Sequence, residues 1–198
     1  MDETRPAPPA RVRVWDLPLR LFHWGLVAAF AVAWYTQEEA YEPHRVAGYA
    51  VLGLLAFRLL WGFAGSRHAR FRSFCYGPGA VLRYLRGLRA GQPPNYLGHN
   101  PAGSVMIWLL LLGLLVVCAS GVALDGAENF AGPLQELRLF RWTGPIEEIH
   151  ELASDAVTAL VALHLLGVVV SSWLHGENLL LAMLTGRKRA DPAAEDQP

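Results

Sequence analysis

Four long apolar stretches, separated by shorter polar segments, dominate the hydrophobic pattern of this 198-residue chain. They run over about residues 17–36, 44–64, 102–124 and 145–174. A hydrocarbon core of about 30 Å takes roughly 20 helical residues at about 1.5 Å each, so each stretch is long enough to cross a bilayer once. The third is the purest, with residues 107–117 almost unbroken aliphatic. The fourth opens with Glu147, Glu148, Glu151 and Asp155 and is expected to begin above the bilayer. These lengths are helical and lack the short alternating pattern of barrel strands. The expected fold is all-α: an integral membrane four-helix bundle over residues 17–175, with polar tails at 1–16 and 176–198. Ala31-Val32-Ala33 resembles a signal-cleavage site, but the apolar run before it exceeds the 7–15 residues of a signal core, so a retained first helix is expected.

Composition agrees with a membrane location. Apolar residues make up 53% and charged residues 17% of the chain, against about 25% charged in soluble domains. The formal net charge is zero, which offers no global attraction to nucleic acid. The distribution of charge carries more information. Arg5, Arg11, Arg13 and Arg20 precede or open the first span, and Arg67, Arg70, Arg72, Arg83, Arg86 and Arg89 fill the second loop. Arg187, Lys188 and Arg189 follow the fourth span. By contrast the first loop holds Glu38, Glu39 and Glu42, and the third holds Asp125, Glu128 and Glu136 against Arg138 and Arg141. Basic loops mark the cytoplasmic side, so both termini are expected inside, in a bacterial inner membrane. Residues 81–89 read as a basic amphipathic helix on the inner leaflet. Asn100-Pro101 reads as a helix cap and first turn. Residues 133–141 suggest a second surface helix, and the chain beyond Asp191 a disordered tail. Cys75 and Cys118 suggest no disulfide framework, and no Cys-x-x-Cys-His is present for covalent haem attachment.

The candidate chemistry lies in the histidines. Of seven, His23, His44, His150 and His164 fall inside the expected spans, where ionisable residues are costly and functional by default. His150 and His164 are fourteen residues apart, nearly four helical turns, and so share a face about 21 Å apart. Depth pairs His44 with His150 at the outer end and His23 with His164 at the inner end. Each pair is suited to clamp one planar metal cofactor, as neutral imidazoles do for haem iron in helix bundles. Arg58 follows His44 by fourteen residues and so lies at the inner depth, where a haem propionate would supply an anion; Arg45 stands beside His44. Gly25, Gly48 and Gly167 would let a flat macrocycle approach. The bland reading of any single histidine is an interhelical hydrogen bond. In that spirit His68 reads as a solvated surface residue, His99 as a turn-bonding one, and Trp15, Trp24, Trp61 and Trp173 as interfacial anchors.

Three segments resemble the bacterial cytochrome b561 family, which includes the b-type subunits of nickel–iron hydrogenases. They are Val14-Trp15-Asp16-Leu17-Pro18-Leu19-Arg20-Leu21-Phe22-His23-Trp24, Gly98-His99-Asn100-Pro101-Ala102-Gly103, and His175-Gly176-Glu177-Asn178-Leu179 with Met183-Leu184-Thr185-Gly186-Arg187-Lys188-Arg189. The resemblance implies four helices and two non-covalent b haems, with His23, His44, His150 and His164 as axial ligands. Hydrogenase-type members carry an extra helix and longer loops, so four spans suggest the stand-alone type, which implies ubiquinone or menaquinone as exchangeable partner rather than a hydrogenase. Electron transfer between the quinone pool and a periplasmic redox partner is then the expected function. Oxidation of superoxide at the outer face, with electrons passed to ubiquinone, is the enzymatic alternative, and Arg45, Arg138 and Arg141 would steer the anion. A non-redox scaffold or transporter is the alternative from another class. The quinone is expected at the inner end near Arg20, His99 and His175, in contact with membrane lipid; a homodimer is left open.

Overall fold

The computed structural model describes residues 11–37 and 40–190. Helix α1 (Leu17–Thr36) starts where the Asp16 carboxylate accepts the Leu19 N–H at 2.7 Å, with Pro18 in the first turn, where its missing N–H leaves no bond unmade. Helix α2 (Tyr41–Ala64) begins three residues earlier than the hydropathy pattern suggests, which places His44 a turn inside it. Two short 3-10 turns, Arg67–Ala69 and Phe71–Phe74, lead to α3 (Pro78–Arg89), the basic amphipathic helix expected from sequence. Helix α4 (Pro101–Glu128) is capped by the Asn100 side chain, which accepts the Gly103 N–H at 2.7 Å. Helix α5 (Thr143–His175) ends at Gly176, whose φ of 58° suits a residue without a side chain.

Four of these helices are long and apolar enough to cross a membrane, and they form an all-α membrane bundle. Two hairpins, α1 with α2 and α4 with α5, pack tightly, and α2 against α4 joins them. Val51, Leu55, Leu114, Cys118 and Val157 form the central layer of the core. A second cluster, Val14, Trp15, Leu19, Phe22 and Ala69, closes one end. Much of the remaining apolar surface points outward, including Leu60, Phe63, Leu112, Leu165, Val169 and Trp173. A helix apolar on its outward side belongs in lipid, because water would not tolerate so continuous an apolar surface.

Several expectations need correction. Residues 133–141 make no surface helix; they form 3-10 turns at Gln135–Leu137 and Leu139–Trp142, split at Arg138, whose φ of 49° is left-handed. Asp125 is no loop charge but a buried residue of α4. The segment after the fourth span is not merely a tail: α6 (Leu179–Thr185) leads into β2 (Arg187–Arg189), which pairs antiparallel with β1 (Arg11–Arg13). Both ends of the bundle chain therefore meet on one side. Arg5, Glu38, Glu39 and the chain beyond Asp191 lie outside the described residues.

Candidate functional site

A seven-residue spacing organises the bundle interior into layers, since two helical turns return a side chain to nearly the same face. On α5, Val157 stands midway between His150 and His164 and is fully buried. On α2 the same spacing gives His44, Val51 and Arg58, and on α1 it gives His23 and Phe30. An apolar layer around Val51 and Val157 thus separates His44 and His150, at the Asp125 end, from His23 and His164, at the arginine-rich end.

His44 and His150 are brought into direct apposition. The His44 and His150 ring centres lie 6.2 Å apart with their planes at 79°. The Nδ1 of His44 donates to the Ala33 carbonyl of α1 at 2.8 Å. The Nδ1 of His150 faces the Val117 carbonyl at 3.1 Å and Ser120 Oγ at 3.0 Å. A carbonyl only accepts, so Nδ1 carries the proton and Nε2 keeps its lone pair. Ser120 donates its own proton to Val116 and Val117 at 2.8 and 3.0 Å, leaving its oxygen free to accept from His150. Helices α4 and α5 approach closely here: a Cβ on Gly121 would stand 3.0 Å from His150 Cε1, a tight contact. Gly48, one turn after His44, faces open space with nothing within 4 Å of where a Cβ would stand.

Beside this pair lies a cluster that sequence reasoning missed. Asp125, 5% exposed, accepts hydrogen bonds from Tyr41 and, at 2.9 Å, from Tyr49, tying α4 to α2. Tyr41 and Tyr49, eight residues apart on one helix face, together with an acid in the turn closing an aliphatic span, were the available signal. Arg45 is engaged by Glu42 at 2.8 Å, while Arg138 lines a cleft of about 420 Å³ with Phe130, Gln135, Glu136 and Phe140; Arg141 is exposed.

At the arginine-rich end His23 lies within electrostatic range of His164, and its buried Nδ1 has no hydrogen-bond partner. Arg58, 3% exposed, stacks over Phe71 at 4.6 Å and Phe74 at 5.7 Å, and its buried Nη1 makes no hydrogen bond. Asp16 is its electrostatic neighbour. Burial pushes the Asp16 carboxyl up, but hydrogen bonds from Ser66, Leu19 and Trp61 outweigh that and hold it below the usual range. His99 packs between Trp15 at 4.4 Å and Phe74 at 4.9 Å, and burial, aided by the nearby Arg58 and Lys188 charges, pushes it down to about 3. It is thus no simple turn residue. His68 is half-buried, edge-on to Trp15 at 6.4 Å, and not fully solvated. Trp15 and Trp61 also turn inward, Trp61 donating to Asp16 at 3.0 Å, whereas Trp173 is 80% exposed as an interfacial anchor would be. Arg20, His99 and His175 are engaged separately: Arg20 by the Leu184 carbonyl, His99 by its rings, His175 by the Ser171 carbonyl at 2.9 Å.

A family model described as prokaryotic cytochrome b561 matches residues 14–186. Among known proteins, the chain is 23% identical to a probable Ni/Fe-hydrogenase B-type cytochrome subunit of Cupriavidus necator, covering 87% of this chain and 85% of that protein. It is 25% identical to the like-named subunit of Azotobacter vinelandii, over 88% of this chain and 87% of that one. A probable Ni/Fe-hydrogenase 1 B-type cytochrome subunit of Escherichia coli K12 is 23% identical, over 87% and 88% of the two chains. The 209 aligned positions of the first match exceed this chain's 198 residues, so that relative carries insertions within the shared frame.

Proposed function

The chain belongs to the prokaryotic cytochrome b561 family, and from that premise we propose that it is a di-haem electron carrier of the bacterial inner membrane. The family implies a b-type haem; the number, ligands and route are our reading. His44 with His150 would hold one haem and His23 with His164 the other, and Arg58 would meet a propionate of the inner one.

The residues present fit such a group. His44 and His150 would hold the group between their rings, whose centres stand 6.2 Å apart. Both outer histidines commit Nδ1 to a carbonyl, the usual way a protein fixes tautomer and ring orientation in a ligand histidine. Open space beside Gly48 and Gly167 leaves room for a flat ring. At the arginine-rich end, the unbonded buried nitrogen on Arg58 is what a site shaped for an anionic group leaves behind. The apposition of His44 and His150 is the observation that carries the reading.

When bound, the haem iron supplies one-electron redox chemistry. The chain's residues do the rest. Ala33, Val117 and Ser120 orient the outer imidazoles, Val51 and Val157 keep the space between the pairs dry, and Arg58 balances negative charge at the inner depth. We place the arginine-rich end in the cytoplasm and the Asp125 end outside. Electrons would pass between a membrane quinone, ubiquinone or menaquinone, at the inner end and a redox protein docked at the outer end. The relatives' names make a hydrogenase one such partner class.

The test is a reduced-minus-oxidised visible spectrum of the purified protein with haem counted per chain. Two b haems per polypeptide are expected, falling to one in His150→Ala and in His164→Ala. Colourless protein, made with ample haem supply, would leave a non-redox scaffold in its place.

A further inference from the structure

The two short strands at the inner end place four arginines on one face. Pairing sets Arg11 opposite Arg189 and Arg13 opposite Arg187, with Val12 and Lys188 turned inward. Like charges directly across a strand pair destabilise it, so something else holds this ribbon. The Gly186 carbonyl accepts the N–H groups of Val14 and Trp15 at 2.9 and 3.1 Å. Lys188, 6% exposed, reaches the Tyr96 carbonyl at 2.9 Å and Glu177 at 3.6 Å. Glu177 also accepts the Arg189 N–H at 2.6 Å, so its carboxylate serves the ribbon's backbone and its buried lysine. Among the described residues no carboxylate is paired with any of the four guanidinium groups.

The ribbon sits at the edge of the membrane. Only three residues separate Arg13 from the start of α1, and β2 follows α6 after a single residue. Helix α6 exposes Leu180, Leu181 and Leu184, an apolar surface that belongs against acyl chains. A cleft of about 260 Å³ opens beside the ribbon, lined by Arg11, Arg187, Arg189, Glu177 and Asn178 among others.

We infer that the β1–β2 arginine ribbon binds the phosphate headgroup of an anionic phospholipid, whose acyl chains lie along the leucines of α6. A guanidinium fork matches phosphate oxygens two at a time, and a phosphodiester between the strands would relieve the repulsion that the register builds in. Arginines that serve only to orient the chain during insertion need no such ordered, in-register face. The inference rests on the membrane placement and not on the haem reading.

The test uses full-length protein in neutral detergent, offered equal phosphatidylglycerol and phosphatidylcholine, with bound lipid read by native mass spectrometry. Wild type is expected to retain phosphatidylglycerol preferentially, on the order of tenfold. The R11Q/R13Q/R187Q/R189Q variant should lose that preference with an unchanged circular dichroism spectrum. Should that variant fail to fold, R11Q/R189Q, which neutralises one cross-strand pair, should lose part of the preference. Undiminished phosphatidylglycerol retention in a folded Gln variant would overturn the proposal. So would displacement of the lipid by equimolar inorganic phosphate, which would assign the site to free phosphate. A preference appearing only after removal of residues 191–198 would make the chain's own Asp191, Glu195 and Asp196 the occupants and equally overturn it.

Discussion

Arg58 concentrates the electrostatic tension of the molecule. A guanidinium 3% exposed, cushioned on two phenylalanine rings and with one nitrogen unbonded, sits among groups that only partly compensate its charge. Cation–π contact recovers some of the desolvation penalty, and Asp16 contributes at longer range. An incompletely paired buried charge usually destabilises, so Arg58→Met should raise the thermal stability of haem-free protein, by about 1–4 kcal/mol. If the arginine serves a propionate, the same variant should retain less haem at the inner site. Melting curves and haem content of the variant check both halves; a variant less stable without haem and unchanged with it would contradict the assignment. His44 and His150 present the opposite case. Each has its second nitrogen satisfied by a carbonyl, so neither is an orphan and neither is easily exchanged for a residue of similar size.

Helices α4 and α2 meet through a polar clamp where the rest of their contact is aliphatic. Tyr41 and Tyr49 donate to the buried Asp125, and Gly132, with φ of 71°, lets the following loop close over it; a Cβ there would stand 2.3 Å from the Tyr49 hydroxyl. Leaving a buried acceptor short of a partner costs about 1–3 kcal/mol, so Tyr49→Phe should destabilise by that order, read as a drop in melting temperature. Because Tyr41 lies one turn before His44, loosening the clamp should also broaden the visible band of a haem held by His44 and His150, on the proposed reading. At this scale much was legible. Apolar length marked all four spans to within a few residues, and cap residues such as Asn100 marked where α4 starts, because a bilayer demands continuous helices of fixed length. Asp125 was misassigned to a loop because a single charge at the end of an apolar run ordinarily stops the membrane segment; only its two tyrosine partners make its burial tolerable.

For the molecule as a whole, the arginine-rich end is a folded cap and not a set of loose loops. The 3-10 turns, α3, the aromatic nest of Trp15, Phe74 and His99, and the paired termini close it. His99 gives this cap a pH dependence of known sign. Its native pKa is held near about 3, against about 6.5 when unfolded. Between those values the unfolded chain binds a proton that the folded chain refuses, so stability falls as pH drops from about 6.5 toward 3 and is constant above. Melting temperatures across pH 4–8 should show that decline for the wild type, and His99→Gln should show a shallower one, by about one proton. Equal slopes would remove His99 as the responsible group.

Composition, hydropathy length and charge asymmetry were enough to determine that the chain is a four-span helical membrane protein, since the bilayer imposes one periodicity and one length on anything that crosses it. Helical arithmetic was enough to put the histidines on shared faces at two depths, because 3.6 residues per turn is a property of any helix. What the sequence alone left undecided depends on where separate helices lie relative to one another. The 6.2 Å apposition of His44 with His150, the Asp125 clamp, the burial of His99 and Lys188, and the pairing of Arg11–Arg13 with Arg187–Arg189 all join residues far apart in the chain. Their geometry comes from packing, at which a single glycine such as Gly121 sets how near two helices approach, and no local pattern of apolar and polar positions encodes that distance.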